Sequence, residues 1–396
     1  MPPIRSFFCP HCFNRIKVCD LLYKDSKCNK FQSREPHWLE RCGVLPSPRS
    51  IQCTLHKEGS APPYRACAKC SHVVSQRYCP RCEEALPMEI DNLSDITIAI
   101  VGAKSSGKSH FIALLIKRLT ELYRTFDWVL TPLTQDTIDT YRDRYSNPLF
   151  SQKVTIASTP KGEEPVPLMY SLRFKKTGKR VMLVFFDAAG EDFTDENSLR
   201  TYIRYVCNAS GIICLLDPLQ LPHVHTQLKQ RNCELPDVGE RTEDVLHSLT
   251  AILREHFLQK LFNTVNKNGI PIPLAVAFSK VDAIRRSNVP DDGEDANNAL
   301  WLDDHCTIYQ ESRHNGVYNA SEMEDIHYCM ESWLHTASED ALVNSLGNYK
   351  DCRLFAFSAL GAPPKGDALL RTPTPIRVED AFLWILARNG LIDTTT

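Results

Sequence analysis

Residues 102–109 read GAKSSGKS, in which Gly102, Gly107, Lys108 and Ser109 satisfy the spacing GxxxxGK[ST]. The backbone amides of such a loop can wrap phosphate oxygens, its lysine can reach the outer phosphates, and its serine hydroxyl can bind magnesium. A second set of residues carries metal chemistry. CPHC at 9–12, CAKC at 67–70 and CPRC at 79–82 are CxxC knuckles, each able to aim two thiolates at one point. The short separation of the last two groups Cys67, Cys70, Cys79 and Cys82 as one closed, all-cysteine zinc site. Cys9 and Cys12 then need two distant partners, either Cys42 with Cys53, the preferred pair, or a set using His56. Cys19 and Cys28 have no such pairing and read as small buried residues.

A phosphate loop works only between a strand and a helix. ITIAIV, just before it, has β-branched strand character, and SHFIALLIKRLTELYRTF, after it, sets Phe111, Leu115, Leu119 and Leu122 on one helical face. Further on, VMLVFFDAAGED reads as a buried strand ending at Asp187, with Gly190 shortly beyond. A carboxylate there can hold magnesium through water, and the glycine can bring its amide to a γ-phosphate. Two more strand ends follow, IPLAVAFSKVD with Ser279, Lys280 and Asp282, and CRLFAFSALG with Ser358 and Ala359. PLMYSLRF and RVMLVFFD read as a hairpin joined by KKTGK. The expected fold is α/β, a mostly parallel P-loop NTPase sheet flanked by helices, with a small N-terminal zinc-binding domain.

The chain has 396 residues, 43% hydrophobic and 24% charged, enough for one large domain and a smaller one. A formal net charge of −2 gives no overall pull toward nucleic acid or anionic lipid. MPPIRSFFCPHC lacks the apolar core of a secretory signal, and no apolar run is long enough to span a bilayer, so a cytoplasmic protein without membrane contact is expected. Ten of the sixteen cysteines precede residue 83, and that density ends at CEEALPMEIDNLSD, which reads as a linker. We expect a zinc-ribbon-like domain over 1–90 with one or two zinc sites, and a P-loop domain over 91–396 with a long insert at about 283–350.

So small an N-terminal domain would draw much of its folding energy from metal ligation. Its Arg5, Arg15, Lys17, Lys24, Lys27, Lys30, Arg34 and Arg41 could face nucleic acid, or could be the solvated surface of a protein-docking module. In the insert, SEMEDIHYCMESWLHTASEDALVNSL repeats Ile326, Met330, Trp333 and Leu334 at helical spacing, a core-packing pattern. His305, Cys306, His327 and Cys329 form no regular ligand set. VEDAFLWILARNGL closes the chain as a helix expected on the sheet's flank.

In order and content, GAKSSGKS, DAAG, SKVD and SAL resemble the phosphate, magnesium and two guanine motifs of the Ras-like P-loop GTPases. The resemblance implies GTP or GDP and Mg2+ held by Gly102, Ala103, Ser105, Ser106, Gly107, Lys108, Ser109 and His110 in the loop, and by Asp187 and Gly190. It further implies a base held by Ser279, Lys280, Asp282, Ser358, Ala359 and Leu360. Asp282 would accept the guanine ring edge, the Lys280 stem would cover the base, and the Ala359 amide would meet the guanine oxygen. Ser109, Asp187 and a switch threonine would share the magnesium, and Lys108 with Glu191 would act on the γ-phosphate and its attacking water.

Two positions depart from that family. Ser279 replaces the usual asparagine or threonine, which weakens the selectivity for guanine over adenine, and Glu191 replaces the glutamine that orients water, so hydrolysis is either slow or awaits a partner's arginine. The switch threonine is one of Thr131, Thr134, Thr137, Thr140, Thr155 and Thr159, with Thr159 in ASTPKGEEP best placed. At finer scale, FCPHC, CPRCEEALP and DAAGED resemble the bacterial double-GTPase proteins of conflict and defence gene clusters, which implies a partner GTPase or effector and an antiviral setting. Against this GTP-hydrolysing switch stand a scaffold that holds GTP without turnover, and an NTPase stimulated by DNA or RNA at its zinc domain.

Overall fold

The computed structural model describes residues 6–25, 37–38, 65–66, 73–103, 105–157, 166–186, 196–231, 235, 242–260, 269–289 and 300–395. Its centre is a sheet of β1 (Ser94–Gly102), β2 (Trp128–Pro132), β3 (Leu168–Phe174), β4 (Arg180–Phe185), β5 (Gly211–Leu216), β6 (Leu274–Phe278) and β7 (Cys352–Ala356). Their spatial order is β2-β3-β4-β1-β5-β6-β7. The run from β4 to β7 is parallel, whereas β3 is antiparallel to both its neighbours. GIICLL and LAVAF, with no polar alternation, are β5 and β6, buried along their whole length as strands covered on both faces must be. The expected hairpin is β3 and β4, registered Leu168 to Phe185.

The α-helices among the described residues are α1 (Lys108–Glu121), α2 (Gln135–Thr140), α3 (Glu196–Cys207), α4 (Pro222–Gln230), α5 (Thr242–Lys260), α6 (Ala320–Thr336), α7 (Asp340–Leu346) and α8 (Asp380–Arg388). The predicted face of α1, Phe111, Leu115 and Leu119, is buried, but so are Ile112, Leu114 and Ile116 on its other sides. The insert's single helical pattern divides into α6 and α7, because Ser338 between them takes a left-handed φ of 61° that ends the first helix. α8 packs on β5 and β6, as expected. At its start a buried ionic cluster joins three segments. Arg377 donates to Glu322 Oε1 of α6 at 2.7 Å and to Asp380 Oδ2 at 3.1 Å, and the His314 ring lies 3.1 Å from Asp380 Oδ1. Next to it, Arg118 of α1 pairs with Glu379 at 2.8 Å.

The N-terminal segment forms a hairpin of Ser6–Phe8 with Arg15–Lys17, and short strands at Leu22–Asp25, His37–Trp38, Arg77–Tyr78 and Ala85–Leu86. The stretch expected to be a linker is packed chain instead. Leu86, Ile90 and Leu93 are buried while Glu83, Glu84 and Glu89 face solvent, so its polar composition reflects one wetted side.

Candidate functional site

β1 runs into the loop GAKSSGKS, and α1 begins at Lys108. Gly102 has to be glycine because a Cβ there would sit 2.6 Å from the Leu215 carbonyl of β5 and 2.7 Å from Ser106 Oγ. Gly107 caps the helix at φ 88°, which brings the first helical amides around to the loop. Lys108 is buried and its Nζ donates to the carbonyls of Gly102, at 2.6 Å, and Ala103, at 3.0 Å. Ser106 Oγ is buried and has no hydrogen-bond partner among the described residues. A buried hydroxyl without a partner is costly, and a phosphate oxygen in the loop is the acceptor it fits.

The two expected guanine segments lie side by side at the same end of the sheet. The Phe357 amide donates to Phe278 O at 2.8 Å and the Val281 amide to Phe357 O at 3.3 Å, which carries the β6–β7 ladder beyond the strands into SKVD and SAL. Asp282 is buried, and burial raises its carboxyl above the usual range although a hydrogen bond with Ser358 opposes the shift. Ser358 Oγ also accepts the Gly361 amide at 2.8 Å. Beside Leu360 opens a cavity of about 320 Å³, lined also by Ala362, Pro363, Leu369 and Arg371.

Lys280 joins these segments to the phosphate loop. Its Nζ donates to the Ser105 carbonyl at 3.0 Å and to Asp217 Oδ2 at 2.6 Å, and its own φ is 51°. Asp217 is buried at the carboxyl end of β5, and its other oxygen accepts the Leu219 amide at 3.0 Å. Ser279, shorter than the family's residue, donates to Leu216 O at 3.2 Å. Sequence reasoning missed Asp217, although the signal was present in GIICLLD, an acid ending a buried strand.

On the other side of the loop, His110 Nε2 accepts the Ile156 amide at 3.1 Å, so its ring is neutral there. Desolvation, with the charge of Lys280, lowers the ring to about 4. The chain just before Ile156 is clasped to the segment after SAL, with Thr155 N donating to Asp367 O at 2.8 Å and Leu369 N to Lys153 O at 2.8 Å. Several candidate switch threonines already have structural work. Thr134 Oγ1 caps α2 by accepting the Thr137 amide, Thr137 Oγ1 accepts the Met169 amide, and Thr155 Oγ1 donates to Asp367. Thr159, Asp187, Gly190 and Glu191 lie outside the described residues.

The cysteines group differently from the expectation. Cys9, Cys12, Cys79 and Cys82 come together, all four sulfurs within 4.8 Å of one another. This replaces the expected pairings of Cys79 and Cys82 with Cys67 and Cys70, and of Cys9 and Cys12 with Cys42 and Cys53. The latter four and His56 lie outside the described residues. CPHC and CPRC build matching turns. Phe13 N donates to Cys9 O at 2.9 Å and Glu83 N to Cys79 O at 3.0 Å, while Cys9 N bonds Asn14 O and Cys79 N bonds Glu84 O. Nearness in sequence favoured the wrong pair, whereas the shared CPxC pattern of the two turns was the usable signal.

Zinc–sulfur bonds of about 2.3 Å in a tetrahedron require sulfurs about 3.8 Å apart. Cys9 to Cys82 is 3.8 Å and Cys12 to Cys79 is 3.9 Å, so the donor set fits zinc. The neighbouring sulfurs, Cys79 first and then Cys82 and Cys9, hold Cys12 well below the thiol range, and the Asn14 amide donates to it at 3.2 Å. Of the basic residues proposed as a nucleic-acid face, Arg15 and Lys17 have described, exposed side chains. None of the described helices is long and apolar enough to cross a membrane.

A phosphate loop between β1 and α1, with SKVD bridged to it at the strand ends, defines a P-loop protein of the guanine-nucleotide-binding type. The family model for Double-GTPase 2 matches residues 96–334, and the chain belongs to that family. It is also 29% identical over 346 residues to SaeC of Mycolicibacterium smegmatis, a protein named for ESX-1 scaffolding and assembly, across 84% of this chain and 85% of that one. Among solved structures, the Arl6 BBS3 small GTPase from Trypanosoma brucei with bound GppNp is 11% identical, covers 75% of this chain and 98% of its own, and superposes at a TM-score of 0.29.

Proposed function

We propose that the protein is a GTP-dependent switch that binds guanine nucleotide and Mg2+ at the phosphate loop and hydrolyses GTP to GDP. The observation that carries this reading is Lys280, whose ammonium joins SKVD to the Ser105 carbonyl and to Asp217. That bridge would set the base and phosphate subsites at one fixed separation, which is what reading a nucleoside triphosphate requires. Lys108 would leave the loop carbonyls for the outer phosphates, Ser106 Oγ would gain its partner, and Ser109 would hold the magnesium. The ion supplies neutralisation of the phosphate charge when bound. Asp187 and Thr159 would complete its shell, and Glu191 would take the proton of the water that attacks the γ-phosphorus as the β–γ bridging bond breaks.

The name of the relative SaeC, which speaks of scaffolding and assembly, supports a switch that takes part in an assembly; its partner would be a second GTPase or an effector. An antiviral setting would use the same switch with a different output. A scaffold that holds GTP without turnover is favoured by Glu191, a carboxylate where a neutral amide would meet the triphosphate more easily. Affinity of the zinc-loaded chain for GTP, GDP and ATP, with and without magnesium, tests the switch. We expect Lys108→Ala to abolish binding and Asp282→Ala to remove the preference for guanine alone. Equal affinity for ATP in the unaltered chain would overturn the reading, and single-turnover hydrolysis separates the switch from the scaffold.

A further inference from the structure

Phe13, the residue after Cys12, is 1% exposed and has a φ of 53°. An aromatic residue in the left-handed region is rare and strained. The matching position of the other knuckle, Glu83, has a φ of 61° with its side chain in solvent, so the turn itself asks for no buried ring. What Phe13 touches explains it. Its ring centroid is 5.4 Å from that of Phe186, edge to face, and 4.8 Å from that of Tyr205, and Phe186 and Tyr205 meet each other at 5.4 Å. Asn208 Nδ2 closes the contact by donating to Phe13 O at 3.3 Å.

Phe186 is the residue immediately before Asp187. Tyr205, on α3, occupies a gap in the sheet. β4 pairs with β1 only as far as Val184 with Thr97, and beyond that point the Tyr205 hydroxyl takes over, accepting the Ile100 amide at 3.0 Å and donating to Ile98 O at 2.9 Å. Thus one ring, delivered by a metal knuckle, presses on the approach to the magnesium motif and on the side chain that splints the strand leading into GAKSSGKS. We infer that Phe13 is a positioning residue that couples zinc occupancy to nucleotide binding, so that each ligand strengthens the hold of the other.

This inference rests on the nucleotide reading above. The coupling is reciprocal by linkage, so it is measurable from the zinc side without any catalytic readout. Zinc transfer from the full chain to a colorimetric chelator is followed with and without GTP and Mg2+, and GTP affinity is measured on the same preparation. At equilibrium we expect bound GTP to tighten zinc about fivefold or more against the chelator, so that less is released. Phe13→Asn removes the ring but suits the left-handed turn. It is expected to keep zinc stoichiometry and lose the nucleotide's effect on release, with Phe13→Leu restoring part of it. GTP binding with unchanged zinc release in the unaltered chain would overturn the coupling and leave the switch standing, and that comparison needs no variant to fold. Persistence of the full effect in Phe13→Asn would remove Phe13 from the coupling, and absence of GTP binding overturns coupling and switch together.

Discussion

His110 is held neutral in the fold by its place rather than by its chemistry. Its ring accepts a backbone amide and titrates at about 4, against an ordinary 6.5. The unfolded chain takes up that proton in the ordinary range while the folded chain refuses it until much lower. Its contribution to stability is therefore complete above about pH 6.5 and is lost as pH falls toward about 4. We expect the denaturant midpoint to drop between pH 7 and pH 5 and the drop to be smaller in His110→Gln, which still offers Ile156 an acceptor. Asp217 is the residue the sequence concealed. SKVD announces itself by resemblance, but a lone aspartate after GIICLL becomes meaningful only once β5 and β6 are neighbours and Lys280 is seen to reach it.

At the scale of elements, the strands and α1 were legible because buried parallel strands and a helix-forming apolar pattern leave little choice. The junctions were less so. The metal pairing was hidden because knuckles combine by distance in space, and the helical pattern after residue 320 gave no sign of the break at Ser338. The splint on β1, where its pairing with β4 ends, belongs to this scale as well. Tyr205→Phe would keep the aromatic cluster but leave the Ile98 carbonyl and Ile100 amide without their buried partner, at a cost of about 1–3 kcal/mol. Urea unfolding measures the loss, and hydrogen exchange at Ile100 should quicken more than exchange in β6 if the opening is local.

Across the whole molecule, the zinc segment and the phosphate-binding sheet share one continuous apolar core, in which Phe13, Phe186 and Tyr205 are all buried. Cys→Ser at position 9, 12, 79 or 82 is expected to release the metal bound at this site, as counted by elemental analysis, and to lower the melting temperature of the entire chain rather than of a detached part. A separate early transition with the main one unmoved would show instead that the two regions unfold independently.

The same contact sets a timetable for synthesis. Cys9 and Cys12 leave the ribosome first, but Cys79 and Cys82 follow about 70 residues later and Tyr205 about 190 later. At about 5–20 residues per second, the knuckle that carries Phe13 waits roughly 10–40 s for the aromatic surface on which it settles. During that interval the earliest thiols are exposed to whatever metal or oxidant the nascent chain meets, so zinc supply at translation bears on how much of this protein reaches its folded form.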